Sequence, residues 1–169
     1  SDLHTQTPLT PASPQRRIVL QKIGFARADV VAKKRRKKGT LSMPDIGAKA
    51  PDFKLSTDTG EALKLSKLKG APVVLFFYPK DDTSGCTAEA KDFTRLAADF
   101  EAAGARVLGI SPDGVASHAK FKTKHDLGVT LLADEDKTVV ETYGVWVEKS
   151  MYGRKYMGVE RSTFLIDAK

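Results

Sequence analysis

A single cysteine, Cys86, sits in the run Phe77-Tyr78-Pro79-Lys80-Asp81-Asp82-Thr83-Ser84-Gly85-Cys86-Thr87-Ala88-Glu89. A strand-like apolar stretch feeds a short polar loop, and helical periodicity begins at about the cysteine. A thiol in the first turn of a helix faces unpaired amide N–H groups whose partial positive charge favours thiolate over thiol. Thiolate is the form that attacks an electrophilic oxygen or sulfur. The neighbours suit a peroxide in particular. Thr83 offers a hydroxyl that can accept from a peroxide while donating elsewhere. Pro79 has no N–H and a fixed φ, so it can wall off the thiol without adding a competing donor. Gly85 lets the backbone be approached closely. A peroxide bond breaks by in-line displacement, and N–H groups with a guanidinium aimed at the leaving oxygen would stabilise its charge.

A lone cysteine is more often an inert buried thiol. Here the proline, threonine, glycine and helix-start context favours a reactive residue. With no second cysteine, the chain can form neither an intramolecular disulfide nor a thiolate metal cluster. A lone thiol suits a reducing compartment, so a cytoplasmic location is expected. His118 and His125, seven apart on a helix read as exposed, are taken as surface residues, and with His4 they make no ligand set. Asp134-Glu135-Asp136 reads as helix-start chemistry rather than a metal site. No cofactor and no metal are therefore expected.

These residues need a scaffold to hold them. Residues 53–55 and 63–65 flank Asp58-Thr59-Gly60 and predict a hairpin. Residues 73–78 are apolar on both faces, as in a central strand covered on both sides. A helix is predicted over 86–103, with Ala90, Phe93, Leu96, Phe100 and Ala103 forming one buried stripe. A strand at 106–110, a turn at Ser111-Pro112-Asp113, a helix over 115–126, a short strand ending at Leu132, a helix over 136–143 and a strand over 163–166 follow. This alternation predicts a three-layer α/β domain around a largely parallel sheet. The chain stops at Asp167-Ala168-Lys169, straight after a central-looking strand that would need a partner or a covering helix, so the domain is expected to be cut short at its C-terminus.

Charge divides the chain. Ten of the 28 Lys and Arg residues lie in the first 42 positions against two of the 21 acidic residues, so the +7 total splits into +8 there and −1 over 43–169. Residues 1–42 read as a basic leader, disordered or weakly helical, and either an upstream extension or a cloning remnant. Residues 43–169 read as the domain. The six-residue basic run Lys33–Lys38 could bind a polyanion or serve as a nuclear address. No aromatic residues interleave with it and no recognition fold follows, so a solvated charge run is preferred over a nucleic-acid partner. No stretch reaches the ~20 apolar residues of a membrane-spanning helix.

The Pro-x-x-x-Thr-x-x-Cys pattern and its flanks resemble the active-site signature of the peroxiredoxins, in their Q-type branch, also called bacterioferritin comigratory proteins. Further matches are Ala50-Pro51-Asp52-Phe53, Gly109-Ile110-Ser111, Leu131 to Asp136, Gly144-Val145-Trp146 and Arg161 to Asp167. The resemblance covers about residues 44–169. It implies a thioredoxin-like fold, with Cys86 as the peroxidatic cysteine, Thr83 as the peroxide-binding hydroxyl and Pro79 as the shielding proline. It also makes Arg161 the active-site arginine and Glu89 the acid that orients it.

Three departures stand out. Lys91 occupies the place of the resolving cysteine found in many Q-type members, Ser84 stands where proline is usual, and the family's last strand and C-terminal helix are missing after Lys169. The first of these, with no other cysteine in the sequence, implies a one-cysteine thiol peroxidase. It would reduce hydrogen peroxide and organic hydroperoxides through a Cys86 sulfenic acid, recycled by thioredoxin, glutaredoxin or glutathione, in a monomer or weak dimer. Two other readings are a thioredoxin-like binding or holdase protein whose thiol is only a sensor, and a polyanion-binding protein driven by the leader.

Overall fold

The structure, a computed structural model, describes residues 16–20 and 42–169. Among these residues nine strands and four α-helices follow in order: β1 (Ile18–Leu20), β2 (Lys54–Thr57), β3 (Ala62–Lys64), β4 (Val73–Phe77), α1 (Ser84–Arg95), α2 (Ala97–Ala102), β5 (Arg106–Ser111), α3 (Val115–His125), β6 (Thr130–Ala133), α4 (Thr138–Thr142), β7 (Trp146–Met151), β8 (Arg154–Val159) and β9 (Ser162–Ile166). Seven strands form one sheet in the order β1-β9-β4-β5-β6-β2-β3, and β7 pairs with β8 as a separate antiparallel ribbon.

The sheet is mixed, which corrects the expectation of a largely parallel one. Only β4-β5 and β5-β6 are parallel, each joined by a helical crossover. The pairs β1-β9, β9-β4, β6-β2 and β2-β3 are antiparallel. One of those, β2-β3, is a hairpin, which needs no crossover helix and reverses the chain. The β2-β3 hairpin turns at Gly60, whose φ of 87 only glycine adopts at no steric cost.

β4 runs through the middle and every one of its residues is buried. Side-chain alternation sends Val73, Leu75 and Phe77 to one face and Phe76 to the other. The first face packs on Val139, Val140 and Tyr143 of the α4 region, with Phe53 and Phe164. The second packs on Ala90 of α1, Phe121 of α3, and Leu127, Val129 and Leu131. Two apolar layers on opposite sides of one sheet make the expected three-layer architecture. The close fit appears at Gly109 of β5, where an added Cβ would lie 2.6 Å from Phe76 and 2.9 Å from Leu131.

The long helix expected over 86–103 is two helices. It starts earlier, at Ser84, and breaks at Leu96 before α2. Its apolar stripe is only part-covered: Ala90 is buried, while Phe93, Leu96 and Phe100 are intermediate and Ala103 is exposed. Those three partly covered side chains, with Val74 and Leu165 of the sheet, line an open groove of about 510 Å³.

Part of the leader belongs to the sheet, so the expectation that all of 1–42 stands outside the domain is corrected at residues 16–20. β1 pairs with β9, matching Ile18 to Ile166, and supplies the partner that the terminal strand lacked on sequence grounds. Ile18 is fully buried in the first core layer. Arg16, 6% exposed, donates to the carbonyls of Leu65, Ala71 and Asp167. Burial holds its guanidinium below the ordinary value, with Asp167 opposing. The Lys33–Lys38 run lies outside the described residues.

Candidate active site

The candidate site lies where β4 hands over to α1. β4 is apolar and central, so the chain leaving it at Tyr78 emerges from the middle of the sheet, and Pro79 to Thr83 carry it to the helix. Thr83 occupies the N-cap position but makes no side-chain cap. Its hydroxyl instead donates to the Lys80 carbonyl at 3.0 Å, which leaves the oxygen lone pairs free to accept. The first intrahelical bond runs from Thr87 N to Thr83 O. The amides of the first turn, Cys86 among them, thus have no side-chain partner among the described residues.

Cys86 is the third residue of α1 and is 2% exposed. The nearest cation comes from far along the chain. Arg161, just before β9, donates from Nη2 to the sulfur at 3.1 Å and from Nη1 to Glu89 Oε2. β9 pairs antiparallel with β4, matching Ser162 to Phe77, so the residue before Ser162 falls beside the start of the active-site loop. The guanidinium lies against Gly85, where an added Cβ would meet Nη2 at 3.4 Å, an ordinary contact. Glu89 is one turn beyond Cys86 on α1 and reaches the same guanidinium.

Electrostatics fit this arrangement. Burial works against the Arg161 charge, yet the Cys86 sulfur and the Glu89 carboxylate hold it above the ordinary guanidinium value. Burial pushes the Glu89 carboxyl above the usual carboxylate range, and Arg161 only partly offsets it. A carboxylate kept charged there is therefore an energetic cost of the fold. What it gains is a guanidinium fixed in orientation against the sulfur.

Of the residues singled out from the sequence, Cys86, Arg161 and Glu89 come together in direct contact. Thr83 stands at the helix start with its hydroxyl turned toward Lys80, and half-buried Pro79 opens the same loop. Neither makes a hydrogen bond to the sulfur among the described residues.

The structure also corrects the reading of the histidines. His118 is fully buried, and His125 is largely covered and bonded to Asp82 at 2.6 Å. The missed signal was their spacing around Phe121, the one large apolar residue of α3: positions 118, 121 and 125 share a helical face. His118 bonds Asp81 in the active-site loop at 2.8 Å. Burial alone would raise the Asp81 carboxyl, but hydrogen bonds from His118, Tyr78 and Ser117 outweigh it and hold the group below the usual range. Asp113, in the turn before α3, accepts from the Asp81 amide at 2.8 Å. Asp134 does act at a helix start, accepting from the Val139 and Val140 amides.

Comparison with known proteins adds to this geometry. The AhpC/TSA family model matches residues 46–169. The peroxiredoxin bcp of Coxiella burnetii is 55% identical over 123 residues, which cover 73% of this chain and 82% of that protein. Peroxiredoxin Bcp of Bacillus subtilis is 50% identical over 123 residues, 73% of this chain and 78% of that protein. Among solved structures, the Xanthomonas campestris bacterioferritin comigratory protein, described with alkyl peroxide reduction activity, superposes with a TM-score of 0.64 at 42% identity. That match covers 67% of this chain and 72% of the other.

Proposed function

Since the chain belongs to the AhpC/TSA family, in its Bcp or peroxiredoxin Q branch, and has that branch's thioredoxin-like fold, we propose a specific working cycle for it as a thiol-dependent peroxidase. The Cys86 thiolate attacks one oxygen of a hydroperoxide, and the O–O bond breaks. Sulfur takes up that oxygen as sulfenic acid, and the other oxygen leaves as water or alcohol after gaining a proton. Arg161 favours the thiolate and offers N–H groups to the oxygens as charge develops. Glu89 orients Arg161. Thr83 accepts from the incoming hydroperoxide, and Pro79 closes the loop side of the thiol. The 3.1 Å contact between Arg161 Nη2 and Cys86 Sγ carries this reading.

Hydrogen peroxide and organic hydroperoxides are the proposed substrates. Cys86 is the only cysteine of the sequence, so the sulfenic acid has no internal thiol to condense with. An external thiol attacks it, releasing water and leaving a mixed disulfide, and a second thiol frees Cys86. Thioredoxin, glutaredoxin and glutathione are the candidate reductants, and the protein works as a monomer or weak dimer. No helix among the described residues is long and apolar enough to cross a membrane; a cytoplasmic setting is proposed from the free thiol.

The test is catalytic turnover of hydrogen peroxide with each reductant, alongside intact-mass detection of the Cys86 adduct. Cys86→Ser is expected to abolish peroxide consumption; full activity in that variant would end the proposal. A thiol acting only as a sensor would oxidise once and stop, despite excess reductant.

A further inference from the structure

The reaction above uses Cys86, Arg161, Glu89, Thr83 and Pro79, yet the most extensive buried polar network near the site contains none of them. Asp81, 7% exposed, is its hub. Its Oδ1 accepts from the Tyr78 hydroxyl at 2.6 Å, and its Oδ2 lies 2.7 Å from Ser117 Oγ and 2.8 Å from His118 Nδ1. The other His118 nitrogen, Nε2, lies 3.0 Å from the Leu132 carbonyl of β6. The Asp81 amide is held by Asp113, which also accepts from Ser111 Oγ at 2.8 Å at the end of β5. His118 is fully buried, and Tyr78 hardly less so.

A buried carboxylate with several donors, and a buried ring with an acceptor at each nitrogen, is costly unless every partner is in place. What the network holds is one residue of a five-residue loop. Asp82, the next one, has φ 58, a left-handed conformation that non-glycine residues adopt rarely. Its carboxylate is taken by Lys124 at 2.5 Å and His125 at 2.6 Å, both from the end of α3. Thr83 follows immediately, and Cys86 three residues later. The helix α3 thus grips the loop at two successive aspartates just before the groups that meet the peroxide.

We propose that His118, together with Ser117, is a positioning residue of the peroxide-reducing site, acting through Asp81 on the loop that sets Thr83 and the first turn of α1. This rests on the peroxidase reading of Cys86. Neither residue touches the sulfur. Their effect is on alignment, and small misplacements of reacting groups are expensive in rate. The groups that face His118 are Tyr78 and Asp81 from the loop after β4 and the Leu132 carbonyl from β6. Asp113 and Ser111 reach it only through Asp81, and Lys122 one turn along α3 is engaged by Asp58.

The two amide isosteres of histidine separate positioning from packing. In His118→Asn the side-chain nitrogen takes the place of Nδ1 and keeps the bond to Asp81. In His118→Gln it takes the place of Nε2 and keeps only the bond to Leu132. The measurement is the second-order rate constant of Cys86 oxidation by hydrogen peroxide in the full chain, with the melting temperature of each variant alongside. His118→Gln is expected to lose about tenfold or more in rate, whereas His118→Asn stays within about threefold of the parent chain. Equal losses in both, or no loss in His118→Gln, would overturn the proposal. If either variant does not fold, Ser117→Ala decides. It removes one donor from the same carboxylate, and an unchanged rate constant there overturns the proposal, while a loss of about threefold supports it. Failure of the peroxidase reading itself would show differently, as an unreactive parent chain.

Discussion

Arg161 and Cys86, 75 residues apart in the chain, are joined by a 3.1 Å contact between guanidinium and sulfur. One strand pairing makes this possible. The antiparallel match of β9 to β4 brings the start of one strand beside the exit of the other. The guanidinium is thus delivered by sheet register, while Glu89, on the helix that carries the thiol, engages its other nitrogen.

Removing that cation is expected to slow the peroxide step without removing the nucleophile. Arg161→Ala should lower the rate constant with hydrogen peroxide by about 10²- to 10³-fold, the usual loss for one transition-state donor. Arg161→Lys keeps a charge but cannot bridge the sulfur and Glu89 with one rigid fork, so it should fall between the two. Stopped-flow oxidation of each variant checks the order.

Glu89 gives a pH signature. Its carboxyl titrates above its unfolded value of 4.5 because it is buried. In the window above 4.5 the folded state binds more protons than the unfolded one, so this group's contribution falls as pH rises and then stays at its lower level. Glu89→Gln removes that dependence. Melting curves of the parent chain and Glu89→Gln should therefore diverge in favour of the variant as pH rises from 4.5 toward neutrality, although the variant reduces peroxide more slowly.

Gly109 is a packing requirement, since a Cβ there would meet Phe76 at 2.6 Å in the interior. Gly109→Ala is expected to destabilise the protein by about 1–3 kcal/mol through overpacking. Urea unfolding measures it, and an unchanged midpoint would show that Phe76 can yield.

The leader strand supplies a prediction that charge counting would reverse. Ile18 is fully buried against the first core layer. Ile18→Ala should cost about 2–5 kcal/mol, as for other buried aliphatic truncations. Removing residues 1–20 should lower stability further by exposing the outer edge of β9. Denaturation of the shortened chain, compared with one lacking only residues 1–15, isolates the strand.

Much of this was legible in the sequence because it is local. The apolar run of β4, the turn at Gly60 and the placement of Cys86 in the first turn of α1 each depend on a few adjacent residues. Arg161 and Glu89 could be named only through the family resemblance, since their meeting depends on the register between β9 and β4. Three features escaped for physical reasons. The direction of β9 depends on where the chain returns after β7 and β8, whose mostly exposed residues give little apolar alternation. β1 was hidden because its apolar residues sit inside a strongly basic segment. His118 was misplaced because α3 has one large apolar side chain among its polar ones, so its buried face is narrow and partly polar.

At 2% exposure, Cys86 offers an attacking thiol almost no surface. A tripeptide thiol, and still more a protein thiol, cannot line up behind a sulfenic acid in a wound helix turn. Reduction is therefore expected to depend on loosening of the start of α1, a property of the helix rather than of the reductant. At high reductant concentration, turnover should level off at the frequency of this opening, which makes the winding of one helical turn the clock of the whole cycle.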